Sequence, residues 1–255
     1  MSDLLLEVDG GVATLSINRP ESRNALARRT MAELDAALDE LQGRTARVLV
    51  VRGVGTQAFC AGGDLKELET MRDEADAIAM ARTMRATLDR FPQLDIPVIA
   101  GLNGDALGGG AELAIACDFR IAASHARLGF AQINLGLMPA WGAPERLAGL
   151  VGRGRALHLL LTGRMLSAGE AYEAGVIEEV VESDRFDERL AALARAVAQA
   201  PAEAVAGIKR AVGAVSPHRF PRNAERSIRE FARTWTADAH WESVERLERK
   251  RRERK

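Results

Sequence analysis

Two glycine-rich stretches are the places where this chain could do chemistry. One is Phe59-Cys60-Ala61-Gly62-Gly63-Asp64-Leu65, and the other is Asn103-Gly104-Asp105-Ala106-Leu107-Gly108-Gly109-Gly110-Ala111-Glu112-Leu113. Each runs from a strand-like segment through glycines into the start of a helical pattern. A junction of that kind leaves backbone N–H groups unpaired in the first helical turn. The partial positive charge of the helix end adds to them. Two such junctions side by side would form a two-donor hole for a developing oxyanion, and glycine permits close approach of a substrate. A glycine triplet has two other readings, a tight strand-to-helix turn and a phosphate cradle. The chain has no GxxxxGK[ST] stretch, which removes the P-loop, and no GxSxG elbow, which argues against a serine hydrolase.

Glu112 is the sharpest single residue. It sits in Ala111-Glu112-Leu113-Ala114-Ile115-Ala116, an apolar helical run that should be buried on most sides. Burial raises the pKa of a carboxyl group, while a helix N-terminus acts in the opposite sense. A carboxyl held between those influences suits proton transfer near neutral pH. The competing role is a first-turn glutamate that only stabilises its own helix.

The elements that must position these residues alternate between strand and helix. Leu4 to Val8 and Val12 to Ile17 flank Asp9-Gly10-Gly11 and read as a β-hairpin. Thr30 and Glu33 have capping-box spacing before a helix that Gly43 should end. Ala46 to Arg52, Val98 to Leu102, Phe119 to Ala123 and Val176 to Val181 read as strands, with a turn-rich loop from Gly53 to Gly63. Helical patterns start near Leu65 and cover 142–150, 153–161 and 167–174. The alternation predicts an α/β fold built on a largely parallel sheet. From Asp187 onward the patterns are helical, broken at Pro201 and around Ser216-Pro217-His218, which suggests either a boundary near residue 200 or one integrated unit.

Taken together, these residues identify a resemblance. Ile17-Asn18-Arg19-Pro20 with Asn24-Ala25-Leu26, the two glycine-rich stretches, Gln132-Ile133-Asn134-Leu135-Gly136 and Leu161-Thr162-Gly163-Arg164 resemble the enoyl-CoA hydratase/isomerase (crotonase) family in order and spacing, over about residues 5–255. The resemblance implies a crotonase-like spiral of ββα units over residues 1–200, with a helical C-terminal region over 201–255 that serves oligomerisation and closes the CoA site. It implies a homotrimer, often paired into a hexamer. It places an acyl-CoA substrate along Ala61, Gly63, Asp64, Leu65 and Lys66, with Ala25 among the contacts, and makes the N–H groups of Gly63 and Gly109 the oxyanion hole. Arg23 falls where relatives carry a basic residue near the CoA phosphates, and arginine suits that contact. A solvated loop arginine is the other reading. CoA enters as part of the substrate, so no cofactor and no metal is implied.

Two positions depart from the family pattern. Glu112 matches one of the two catalytic carboxylates of the hydratases, but the second falls on Gln132, which can donate and accept hydrogen bonds yet cannot take a proton. The loop Met138-Pro139-Ala140-Trp141-Gly142 is less glycine-rich than in hydratases and is similar to that of relatives that decarboxylate malonyl-type thioesters. Trp141 either lines an acyl pocket or packs in the core. Hydration, double-bond isomerisation and decarboxylation therefore stay open, with hydration or isomerisation first. A non-catalytic CoA-binding or scaffold relative is the alternative of a different class.

Composition sets the outer bounds. The net charge of −1 gives no basic field for nucleic acid. The basic tail Arg249 to Lys255 reads as a solvated helix end or an anion contact. Met1-Ser2-Asp3-Leu4 carries no secretory pattern, and no apolar run is long enough to span a membrane. Cys60 and Cys117 read as free thiols in a reducing cytoplasm, and the histidines at 125, 158, 218 and 240 are scattered without metal-ligand spacing.

Overall fold

Gly10 and Gly11 adopt φ of +54° and +81° in the computed structural model, which describes residues 2–42, 44–215 and 221–253. That left-handed pair is what a two-residue hairpin turn requires. It joins β1 (Leu4–Asp9) to β2 (Val12–Ile17) in antiparallel register, with Asp9 opposite Val12. After α1 (Arg28–Gln42), the chain repeats one pattern: a strand in a large sheet, a strand in a small sheet, then helix. The first round is β3 (Val48–Gly53), β4 (Ala58–Cys60), then α2 (Leu65–Leu68) and α3 (Glu74–Arg90). The second is β5 (Val98–Leu102), β6 (Asp105–Leu107) and α4 (Gly109–Ala116). The third is β7 (Phe119–Ala123), β8 (Arg127–Gly129), a 3-10 turn over Ala131–Leu135, and α5 (Ala143–Thr162).

This repetition winds the chain into a spiral of ββα units. With β9 (Leu166–Ser167) and β10 (Glu179–Val181), the large sheet has the order β1-β2-β3-β5-β7-β10 and the small one β4-β6-β8-β9. From β2 onward the large sheet is parallel, and β4, β6 and β8 are parallel in the small one. All five residues of β5 are buried, the continuous apolar run of a parallel strand covered on both faces. All eight residues of α4 are buried too, so this helix has no solvent face.

The structure corrects several local expectations. Thr30 and Glu33 form no capping box, because α1 begins at Arg28 and both side chains are spent on the first strand. Thr30 donates to Asp3 at 2.8 Å, and Glu33 accepts from the Asp3 and Leu4 amides at 3.0 and 3.1 Å. The stretch from Gly53 to Gly63 is not all loop, since β4 lies within it, and β6 lies within the second glycine-rich stretch. Strands of three residues are too short to show an alternation in sequence. The strand expected from Val176 begins only at Glu179. The two helical patterns around residue 152 are one element with a break at Gly152, φ +78° and ψ 158°. Gly43, the break around Ser216-Pro217-His218, and Arg254 and Lys255 lie outside the described residues.

The last third consists of α6 (Ala168–Glu173), α7 (Phe186–Gln199), α8 (Ala202–Val215), α9 (Pro221–Trp235) and α10 (Asp238–Arg252). It docks on its own core through polar anchors. Lys209 donates to the Phe91 and Ile96 carbonyls at 2.9 and 2.8 Å. The Trp235 indole donates to the Met71 carbonyl, and the His240 Nδ1 meets the Leu135 carbonyl at 2.7 Å. His240 is fully buried between Trp235 and Trp241, and burial lowers its pKa. Among the described residues, no helix is long and apolar enough to cross a membrane.

The approach of α4 to β4 depends on Gly110, where a Cβ would overlap the Cys60 carbonyl. Backbone cannot yield as a side chain can. Gly110→Ala is therefore expected to destabilise the chain by about 3 kcal/mol, the upper end for overpacking, as read from urea unfolding midpoints.

Candidate active site

A cavity of about 490 Å³ opens where the glycine-rich loops, the 3-10 turn, the start of α5 and the last two helices meet. Glu112, Gln132, Trp141, Gly63 and Gly109 all border it. Its apolar wall includes Leu68, Met80, Phe231 and Trp235, and the exposed Arg246 and Lys250 of α10 stand at its edge. A second cavity of about 390 Å³, between α7 and β1 to β3, holds none of the candidate site residues.

Glu112 is 2% exposed, and each of its oxygens is held. Oε1 accepts from the Trp141 amide at 2.8 Å and from the Ala143 amide at 3.0 Å; Oε2 accepts from Gln132 Nε2 at 3.0 Å. The two amides belong to the entry of α5, where N–H groups lack intrahelical partners. Burial dominates the titration and raises the pKa to about 7, against the opposing pull of the Ala143 amide, the Arg146 charge, the Trp141 amide and Gln132. The carboxyl is thus poised near neutrality. Glu112 does more than stabilise the start of its own helix, because its side chain bonds to other segments.

Gln132 spends its amide nitrogen on Glu112, while its Oε1 is buried with no hydrogen-bond partner among the described residues. A buried carbonyl oxygen without a donor is an open acceptor at the cavity wall. A water, or a hydroxyl on a ligand, would satisfy it.

The glycine loops meet as the sequence suggests, with one difference. Gly109 opens α4, but Gly63 does not open α2. It sits in a parallel bridge with Leu26, in which Leu26 N donates to Gly62 O at 2.7 Å and Asp64 N to Leu26 O at 3.0 Å. That pairing uses the neighbours of Gly63 and leaves its own N–H outside the ladder. The two loops touch: a Cβ on Gly62, where φ is +97°, would lie 3.2 Å from Gly109 N. Trp141 covers both glycines. A Cβ on Gly63 would lie 3.9 Å from its ring, and one on Gly109 would overlap it.

The other expected ligand contacts divide. Ala61 and Leu65 line the cavity with Gly63, whereas Arg23, Ala25, Asp64 and Lys66 are not in its wall. Asp64 instead accepts from Arg19 at 2.9 Å. Ala25 is buried, Lys66 is exposed, and Arg23 pairs with Asp105 at 2.8 Å while staying 46% exposed. Sequence reasoning missed the aromatic wall from α9 and missed Arg146, 4% exposed, which donates to the Trp141 carbonyl at 2.6 Å. A lone arginine four residues into a helix carries no sequence signal of a buried role. Both cysteines are free and buried, and burial pushes each thiol up to about 12.

Comparison with known proteins places this geometry. The sequence profile described as enoyl-CoA hydratase/isomerase matches residues 7–254. A short-chain-enoyl-CoA hydratase of Clostridium acetobutylicum is 39% identical over 186 residues, 71% of this chain and 70% of that protein. A Bacillus subtilis relative is 40% identical over 172 residues, which span 66% of this chain and 65% of its own length. The crystal structure of an enoyl-CoA hydratase from Bacillus anthracis superposes with a TM-score of 0.81 at 34% identity, covering 97% of this chain and 96% of that one.

Glu112 makes stability depend on pH. Between the ordinary 4.5 and the folded value of about 7, the folded chain keeps a proton that the unfolded chain has released. Its contribution is therefore fully present below the unfolded value and is lost as pH rises through the folded one. Glu112→Gln removes this dependence. Relative to wild type, the variant should gain stability between about pH 4 and about pH 8, by roughly 3 kcal/mol, as measured by urea midpoints at both pH values.

Proposed function

The chain belongs to the enoyl-CoA hydratase/isomerase family, and we propose that it adds water to, or moves the double bond of, an enoyl-CoA thioester with Glu112 as its sole acid–base group. The observation that carries this reading is the buried Glu112 carboxyl, raised to about 7, on the same cavity as Gly63 and Gly109. A group that titrates near neutrality serves in both directions of proton transfer.

In hydration, a water sits between Glu112 and the open Gln132 oxygen. Glu112 takes its proton as the hydroxyl adds to C3. The electron pair moves to the thioester oxygen, which the Gly63 and Gly109 amides receive. The enolate then collapses, and C2 takes the proton back from Glu112. One carboxyl thus delivers both parts of water. In isomerisation, the same carboxyl removes a proton from C2 of a 3-enoyl thioester and returns it to C4. Gln132 serves both steps as a neutral holder, donating to the ionised carboxyl and, with its amide turned, accepting from the protonated one.

Decarboxylation of a malonyl-type thioester is the second reading. The uncharged Gln132 favours it, since a second carboxylate there would repel the substrate. The CoA portion runs along Ala61 to Lys66 in either case. Arg23 contacts its phosphates by leaving Asp105, or Arg246 and Lys250 meet them at the cavity edge. The 201–255 region closes over this portion. The resemblance further implies a homotrimer or hexamer, the free thiols Cys60 and Cys117 fit a reducing cytoplasm, and Leu161 of α5, 66% exposed, offers apolar surface for assembly.

Crotonyl-, 3-enoyl- and malonyl-type CoA thioesters, with product identification, test the reading on two variants. Glu112→Gln should lower turnover by about 10²- to 10⁴-fold while thioester affinity holds. An unaltered rate on every substrate that the wild type turns over would end the mechanism. Gln132→Glu should raise crotonyl-CoA hydration if hydration is the natural reaction, spare 3-enoyl turnover if isomerisation is, and depress malonyl-type turnover if decarboxylation is.

A further inference from the structure

Outside the lining of the cavity, and joined to Glu112 through the Trp141 backbone, lies a chain of charged side chains that the proposed reaction does not use. Arg146 of α5 is 4% exposed; it donates through Nη1 to the Trp141 carbonyl at 2.6 Å and through Nη2 to Asp89 of α3. Asp89 also accepts from Arg85 at 2.9 Å, and Arg85 pairs with Glu145 at 3.2 Å. Glu145 closes the chain by accepting from Ser227 of α9 at 2.9 Å. The Trp141 backbone is thus held on both sides of its Cα. Its carbonyl holds Arg146, and its N–H holds Glu112 at 2.8 Å. The guanidinium lies so close to this turn that a Cβ on Gly142 would overlap it.

The charges in this chain balance without Glu112. Arg85 and Arg146 face Asp89 and Glu145, two cations against two anions. Gln132, the side chain bonded to Glu112, is an uncharged amide, and burial keeps the Cys60 and Cys117 thiols protonated. Arg146 is a cation whose charge favours the ionised Glu112, and Asp89 is the foremost of the anions that act on Arg146. An arginine stays protonated even in such a setting.

We propose that Arg146, restrained by Asp89, is the positioning residue of the proton-transfer site: it fixes the Trp141 and Ala143 amides on Glu112 and meters how much positive charge that carboxyl feels. The proposal rests on Glu112 as the acid–base group, but the charge metering stands whether or not Glu112 turns over substrate. Two substitutions should act in opposite directions. Asp89→Asn removes an anion from an already 41% exposed position and frees Arg146 to favour the ionised carboxyl. Arg146→Gln removes the cation and leaves Asp89 to oppose ionisation.

The test is the titration of the Glu112 carboxyl itself, read as the infrared C=O stretch of the protonated acid, each protein minus its Glu112→Gln counterpart. The expected midpoint falls by about one pH unit in Asp89→Asn and rises by about one in Arg146→Gln, the scale of one nearby charge. The pH dependence of kcat/KM should move in the same two directions. A midpoint unmoved in both variants, or moved the same way in both, overturns the proposal. Where Arg146→Gln fails to fold, Asp89→Asn decides alone: an unshifted or raised midpoint overturns it. Infrared midpoints that split as expected while the kinetic profile stays fixed uphold the metering and refute the role of Glu112 in turnover.

Discussion

A carboxyl group placed in a helix with no solvent face must find its donors inside the protein. Glu112 is that group, and all eight residues of α4 are buried. Its oxygens cannot be served by their own helix, so they draw in the entry of α5 and the 3-10 turn. Those three segments form one side of the cavity. The two helix-entry amides stabilise the ionised form, and burial opposes it. The balance settles at about 7, where a proton can move either way. Site geometry and site chemistry thus follow from one unfavourable placement and its compensation.

The glycines make that placement possible. The spiral of ββα units puts β4 and β6 of the small sheet each at the mouth of a glycine loop, so they deliver Gly63 and Gly109 as neighbours. Gly110 lets α4 lie against the Cys60 carbonyl, and Gly109 leaves room for the Trp141 ring. Trp141 then does two jobs. Its backbone supports Glu112, while its indole packs beside Gly63 and Gly109 and borders the cavity.

Much of this was legible in the sequence. The parallel α/β core, the hairpin at Gly10-Gly11 and the helical last third follow from periodicity and turn chemistry. Glu112, Gly63, Gly109, Gln132 and Trp141 lie together on the cavity, and the sequence showed each of them through glycine spacing or through resemblance. What was hidden has a physical reason. The three-residue strands are too short to show a period. Thr30 and Glu33 have capping-box spacing, yet tertiary contacts with Asp3 and Leu4 take their side chains. The grip of Arg146 on the Trp141 carbonyl and the wall from Phe231 and Trp235 depend on how distant segments dock, which no local pattern encodes.

In the proposed reaction this site stabilises a thioester enolate and Glu112 exchanges the proton. A saturated thioester such as butyryl-CoA isolates that step, because it can be neither hydrated nor isomerised. Its C2 protons are followed by NMR in D₂O with wild type and Glu112→Gln. The account predicts that the wild type exchanges a single C2 proton for deuterium with one stereochemistry, and that Glu112→Gln slows the exchange by about 10²-fold or more. No exchange above the buffer rate, or exchange undiminished in Glu112→Gln, would contradict it.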